Sequence, residues 1–227
     1  MLAMDLTPIA LAAALTVVHY LSEVYASHQE KHHWRILSFS AGAFITLLFL
    51  EMMPRATSVP YGLSLMLLGF VCFHAVERYV YQHYHKKELR KKVDALDTLG
   101  FFGKNFLNGF VLVVAFDNSA GFGYALFAAL LLHTISSSLM LSHLVERLKG
   151  IRNHRLLLSS GTLLGALAAV PLGASGAVAT GGFALVTGAL FYIVARDILP
   201  RDGAGRMAYF TSGVLAMYFL LVLAGVA

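Results

Sequence analysis

Residues 41–55 read AGAFITLLFLEMMPR, and residues 187–201 read TGALFYIVARDILPR. Aligned without gaps, the two stretches share a glycine–alanine step near their start and an acid, a proline and an arginine near their end. An acid three residues before a proline, found twice, is harder to obtain by chance than a general apolar likeness. We therefore interpret the two stretches as an internal repeat. The matched pairs are Gly42/Gly188, Ala43/Ala189, Glu51/Asp197, Pro54/Pro200 and Arg55/Arg201.

The chain around these stretches is unusually apolar. Of its 227 residues, 58% are hydrophobic and 13% are charged, whereas about 25% are charged in an ordinary soluble domain. The surplus apolar side chains need an apolar environment outside the core, which predicts an integral membrane protein surrounded by lipid. The single cysteine, Cys72, excludes an intramolecular disulfide. No basic region precedes the first apolar run, so we expect a retained helix there rather than a signal peptide.

Eight segments are long enough to span a bilayer, which requires about 20 mainly apolar residues. The connectors between them are too short to form a soluble domain, so residues 1–227 are predicted to form a single all-α transmembrane domain. The predicted segments are 5–26, 36–54, 60–83, 98–117, 121–146, 156–174, 177–199 and 206–226.

The basic residues predict the orientation of these segments. Fifteen of the 17 lysines and arginines lie in or beside the first, third, fifth and seventh connectors, and basic connectors stay on the cytoplasmic side. Both termini are therefore expected outside. We also expect the membrane to be the inner membrane of a bacterium, and we expect no nucleic-acid partner. The second and seventh segments then run in opposite directions, so the repeat is an inverted one, as in many secondary transporters.

Two polar stretches interrupt the apolar segments where the halves of an inverted repeat would meet. They are KNFLNG (104–109) in the fourth segment and HTISSS (133–138) in the fifth. A charge at the bilayer centre costs roughly 2.5–3.5 kcal/mol, so these side chains should face the interior of the bundle. We predict a transport pathway there. The predicted pathway residues are Lys104, Asn105, Asn108, His133, Thr134, Ser137 and Glu51.

A second candidate site for a metal or a proton uses two histidine–glutamate pairs. His19 and Glu23 share one helix face at i,i+4, and His74 and Glu77 share another at i,i+3. The first and third segments would have to meet near the cytoplasmic side. The simpler interpretation is that each acid is satisfied by a nearby arginine, such as Arg78.

Histidines on the predicted cytoplasmic side could collect metal ions that leave the pathway, although they could equally be interfacial polar residues. The serines after His133 also allow an intramembrane hydrolase. No oxyanion donor is evident, and serines at this density commonly mediate helix packing, so we expect a transporter and not an enzyme. The histidines on the predicted cytoplasmic side are His28, His32, His33, His83 and His85.

Over nearly its whole length the chain resembles the ZIP (Zrt/Irt-like) family of divalent-metal transporters. Residues 40–56, SAGAFITLLFLEMMPRA, resemble the family's glycine-containing second helix. Residues 69–87, GFVCFHAVERYVYQHYHKK, resemble its glutamate-bearing third helix, and residues 187–202, TGALFYIVARDILPRD, resemble its seventh helix with an acid-x-x-proline ending. The resemblance implies eight helices with both termini outside, a 3+2+3 inverted repeat, a possible homodimer, and movement of zinc, iron or manganese toward the cytoplasm as cargo, with no cofactor.

The chain departs from the family at the metal site. The family's fourth helix usually carries His-Asn-x-Pro-Glu-Gly, where this chain has lysine at 104, leucine at 107 and asparagine at 108. Of the fifth helix's His-Glu-x-x-Glu, only His133 remains, so the resemblance leaves His133 and Asn105 as the candidate metal ligands. Two hypotheses follow: metal transport through a non-standard site, or a transporter-derived protein that has lost metal binding and acts as a sensor, partner or carrier of another solute. A separate hypothesis is that Lys104 is a tethered cation at the metal's position, donating to Asn108, Ser137 and His133.

Overall fold

The computed structural model describes residues 6–25, 33–84, 90–147, 154–172, 176–195 and 204–226, and these residues form helices without a strand. The all-helical prediction is confirmed. A π-helical turn, Leu48–Met52, joins α2 to α3 without a break, and a short 3-10 turn, Val170–Leu172, extends α7. The described helices are α1 Thr7–Tyr25, α2 His33–Leu47, α3 Met53–Thr57, α4 Gly62–Tyr84, α5 Arg90–Asn118, α6 Ala120–Arg147, α7 His154–Ala169, α8 Ala177–Ile193 and α9 Ala204–Leu223.

With α2 and α3 counted as one rod, the described helices correspond one to one with the eight predicted segments. The largest difference is in α5, which begins at Arg90, eight residues before the predicted start at residue 98. Residues 90–97 are too charged for a hydropathy pattern to include, but lysine, arginine, leucine and alanine all favour a helix. The last part of the seventh predicted segment, 196–199, lies outside the described residues.

Four helical stretches are long and apolar enough to cross a membrane: Thr7–Val24, Trp34–Thr57, Ala120–Ser138 and Arg155–Leu172. Three shorter apolar helices accompany them. Large apolar side chains cover the outside of the bundle as well as its core; on α4, for example, Leu63 and Leu67 are about two-thirds exposed. Exposed large apolar side chains occur on every one of the apolar helices named above, which is consistent with a membrane protein.

The two repeat segments run in opposite directions. Phe49 contacts Phe191, with ring centroids 5.7 Å apart. Further along the same rod, the Arg55 guanidinium lies 4.6 Å from the ring centroid of Phe122, and that ring is 6.1 Å from Phe183. Residues 49 to 55 of α2–α3 therefore lie beside residues 191 to 183 of α8, in that order, so the two helices are antiparallel.

Each repeat segment packs through its glycine against a helix of the other half of the chain. A Cβ atom on Gly42 would lie 2.0 Å from the carbonyl oxygen of Phe210 in α9, and one on Gly188 would lie 1.8 Å from that of Met66 in α4. A π-helical turn begins at Leu48 in the first segment and at Val194 in the second, which are matched positions of the repeat. The likeness of the two stretches thus extends to their backbone geometry and to their packing.

Candidate functional site

The first part of the candidate site is a histidine–glutamate pair on α1. His19 and Glu23 are 3% and 2% exposed, because they lie on the face of α1 that packs against α6 and α7. His19 Nε2 is 2.9 Å from Glu23 Oε1. The two atoms are not aligned as a hydrogen bond, and neither His19 Nδ1 nor Glu23 Oε2 has a hydrogen-bond partner. The contact is close enough for an ion pair. It leaves His19 Nδ1 and Glu23 Oε2 available to bind a ligand.

The second part is His133 on α6. Its side chain is 4% exposed, and its ring packs 5.2 Å from the ring of Phe44 in α2. Ser136 donates a hydrogen bond to the His133 carbonyl oxygen at 2.9 Å, and its hydroxyl oxygen is 2.9 Å from that of Ser40 in α2. These contacts fix α6 against α2, while neither ring nitrogen of His133 has a hydrogen-bond partner.

The third part comes from α5, where Lys104, Asn105 and Asn108 are all buried. Asn105 Nδ2 donates a hydrogen bond to the Leu158 carbonyl oxygen of α7 at 2.9 Å. Asn108 lies one helical turn beyond Lys104 and leaves its Oδ1 without a partner. Asn105 therefore fastens α5 to α7, whereas Lys104 and Asn108 remain candidates for the site itself.

The tight turn between α5 and α6 brings Lys104 and His133 to the same level. Lys104 precedes Asn118, the end of α5, by fourteen residues, and His133 follows Ala120, the start of α6, by thirteen. At a rise of about 1.5 Å per residue, each lies roughly 20 Å from the turn. Lys104 and His19 are both within electrostatic range of the His133 ring. We call His19, Glu23, Lys104 and His133 the central cluster.

The remaining pathway residues predicted on α6 make local contacts. Thr134 is buried, and its carbonyl oxygen accepts hydrogen bonds from the Ser137 and Ser138 hydroxyls. The proposed donation from Lys104 to Asn108, Ser137 and His133 stays a prediction. Since the Ser137 hydroxyl already donates within its own helix, it is free to act toward Lys104 only as an acceptor.

Glu51 lies apart from the central cluster. Its carboxylate is buried and accepts hydrogen bonds from Arg55 Nε at 2.9 Å and Nη2 at 2.7 Å. The Arg55 guanidinium in turn covers Phe122, which precedes His133 by eleven residues along α6, or about 16 Å. For Glu51, the simpler interpretation of an acid satisfied by a nearby arginine fits the structure.

The structure does not bring the two histidine–glutamate pairs together. His74 lies on an exposed face of α4, with Nδ1 3.1 Å from the Tyr192 hydroxyl of α8, and the Glu77 side chain is outside the described residues. His19, paired with Glu23, instead lies within electrostatic range of His133, which the sequence predicts to belong to a different site. Of the five histidines predicted to lie on the cytoplasmic side, His28, His32 and His85 lie outside the described residues, as do the side chains of His33 and His83.

Among the described residues, no three His, Cys, Asp or Glu side chains are positioned to hold a metal ion as they stand. In this conformation His19 Nε2 lies 2.9 Å from Glu23 Oε1. The chain matches no protein-family model and no curated protein.

Proposed function

We propose that this chain is an integral membrane transporter of ZIP-like architecture that moves a divalent metal cation toward the cytoplasm through the central cluster. Zinc, iron and manganese are the class of ion expected. The observation that carries the proposal is the burial of four ionisable side chains, from three helices, inside a bundle whose outer surface is apolar.

The architecture supports this proposal. Repeat segments that run in opposite directions are what an inverted-topology transporter requires, and the matched glycines and π-helical turns support the repeat. Substrate sites in such folds lie near the bilayer midplane where the repeats meet. Under this proposal the central cluster lies at that midplane, with Lys104 and His133 each roughly 20 Å along α5 and α6 from the turn that joins them.

The energetic cost of the cluster also favours a transport role. Each charge at the centre of a membrane helix costs roughly 2.5–3.5 kcal/mol, and intramembrane ionisable residues commonly mark ion pathways or proton relays. A purely structural seam between α1, α5 and α6 would be more stable with apolar side chains of similar size.

Lys104 decides how strongly a metal ion can bind. At an effective dielectric constant of about 20, a +1 and a +2 charge about 4 Å apart repel by roughly 8 kcal/mol. A carboxylate at the same distance offsets that repulsion almost completely. Glu23 is the carboxylate that the structure places in the cluster, so cation binding depends on the balance between Glu23 and Lys104.

A second candidate is a carrier or sensor that does not bind metal. It is favoured by Lys104 beside His133 and by neutral residues at 108 and 137, where the ZIP family has carboxylates. In this case the positive charge of Lys104 would attract an anionic group of another solute.

Uptake of labelled zinc, iron, manganese and cobalt into vesicles that contain the purified protein tests the proposal. We expect saturable uptake of at least one ion, a loss of most of that uptake in His133→Ala, and wild-type uptake in His74→Ala, a matched histidine outside the cluster. If no ion is taken up saturably, the metal proposal is wrong and the second candidate replaces it.

A further inference from the structure

We infer that α1 supplies the anionic ligand of the cation site, so that His19 and Glu23, together with His133 of α6, bind one divalent cation of the class that prefers imidazole. Zn²⁺ and Co²⁺ belong to this class, whereas Mn²⁺ and Mg²⁺ prefer oxygen ligands. The inference deepens the proposed function, on which it rests for the use of the site, but it concerns binding and is tested without transport.

The evidence is a set of buried ligand atoms that have no hydrogen-bond partner. Both ring nitrogens of His133, Nδ1 of His19 and Oε2 of Glu23 are unpartnered, and each of the three side chains is at least nine-tenths buried. Buried polar groups are almost always satisfied by protein, water or an ion. Two imidazoles and a carboxylate on adjacent helices are the donor set that zinc uses in sites with an open position.

The spacing on α1 allows both of its side chains to reach the same ion. Two ligands at i and i+4 on one helix face can bind a single zinc ion, and His19 and Glu23 have this spacing. Their present contact at 2.9 Å would have to open by side-chain rotation for an ion to sit between them.

Lys104 acts against the ion from the facing helix. Among the described residues, Lys104 is the titratable group that the structure places within electrostatic range of this site, besides His133 on α6 and the α1 pair itself. Lys104→Met should therefore tighten cation binding, whereas Glu23→Gln should weaken it.

Equilibrium binding to the purified full chain in detergent tests the inference, with Zn²⁺, Co²⁺ and Mn²⁺ as probes. We expect one Zn²⁺ per chain at this site, a Co²⁺ absorption spectrum that Zn²⁺ abolishes, and weaker binding of Mn²⁺. Glu23→Gln, His19→Ala and His133→Ala should each weaken Zn²⁺ binding at least about tenfold, since even the loss of a group that only orients a ligand costs about 10–100-fold. His74→Ala and Asp117→Asn, an exposed carboxylate at the end of α5, are the matched controls.

Several results would overturn the inference. They are Zn²⁺ binding that Glu23→Gln and His133→Ala leave unchanged, binding that disappears only when the five cytoplasmic-side histidines are replaced, and Mn²⁺ binding as tight as that of Zn²⁺. Should a variant fail to fold, the wild-type Co²⁺ spectrum decides, because its absence rules out the imidazole-containing site. Binding without uptake would refute the proposed transport but not this site, and uptake that is insensitive to Glu23 would refute the site but not transport.

Discussion

Gly42 and Gly188 occupy the same position in the two repeats, and each lies directly against the backbone of another helix. Neither position has space for a Cβ atom. A Cβ atom on Gly42 would lie 2.0 Å from the Phe210 carbonyl oxygen, and one on Gly188 would lie 1.8 Å from the Met66 carbonyl oxygen. The contacts are reciprocal, because Gly213 meets Phe39 of α2 and Gly69 meets Leu185 of α8 in the same way. Two closely packed helix pairs, α2 with α9 and α8 with α4, therefore join the first half of the chain to the second.

Gly188→Ala is expected to destabilise the protein by about 3 kcal/mol or more, because overpacking against a rigid backbone atom costs at least as much as ordinary core overpacking. The measurement is thermal unfolding in detergent. Gly100→Ala is the matched control, since nothing lies within 4 Å of a Cβ atom built there. Replacing a helical glycine at an open position should stabilise by about 0.5–1 kcal/mol. Equal effects at the two positions would show that the close contact between α4 and α8 is not present.

Arg55→Ala is expected to cost about 2 kcal/mol of stability, because it leaves the buried Glu51 carboxylate without its partner. Breaking a fully buried pair costs about 3–5 kcal/mol, and the smaller value follows from the Arg55 side chain being 31% exposed. In the double variant Glu51→Gln/Arg55→Ala, most of this loss should be recovered. If the double variant is as unstable as Arg55→Ala, the cost comes from lost packing on Phe122 and not from an unpaired charge.

Asn105 is expected to matter for stability and not for metal affinity. Asn105→Ala removes the hydrogen bond to Leu158 and leaves that buried carbonyl oxygen unpaired, at a cost of about 1–3 kcal/mol. Asn105→Asp should be worse, since it places an oxygen where an N–H group donated. Unfolding curves and Zn²⁺ binding curves on the same preparations separate the two effects, and a tenfold change in affinity with unchanged stability would make Asn105 a metal ligand.

The cysteine at position 72 offers a test of membrane insertion. Cys72 is exposed on α4, about ten residues from the start of the helix at Gly62, or roughly 15 Å along its axis. If α4 spans the bilayer, a charged, membrane-impermeant thiol reagent should not reach Cys72 in intact vesicles but should label it after denaturation in SDS. Rapid labelling of Cys72 in intact vesicles would place this face of α4 in water.

The predicted orientation is tested with a cysteine in the turn between α3 and α4. Ser58 is exposed there, at the end of the bundle that the basic residues predict to be outside. In a Cys72→Ala background, Ser58→Cys should react with the impermeant reagent added to intact cells. Labelling only after the membrane is opened would reverse the orientation.

Features that depend on a short window of the chain were predictable. The eight apolar segments follow from local composition, and the acid-x-x-proline-arginine spacing indicated the repeat. The start of α5 was misplaced for the same reason, because a hydropathy window does not recognise a helix whose first turns are charged. The sequence places Glu51 among the predicted pathway residues. It also shows Arg55 four residues further along the same helix, the residue that pairs with Glu51 in the structure.

The composition of the central cluster depends on contacts between helices that are distant in sequence. Ser40 meets Ser136 across 96 residues, and α1 lies against α6, which joins the His19–Glu23 pair to His133. Helix periodicity shows that His19 and Glu23 share a face, but not which helix covers that face. The partner is selected by how closely backbones can approach at glycines and by which buried polar atoms can be satisfied, and both depend on the three-dimensional packing of the whole bundle.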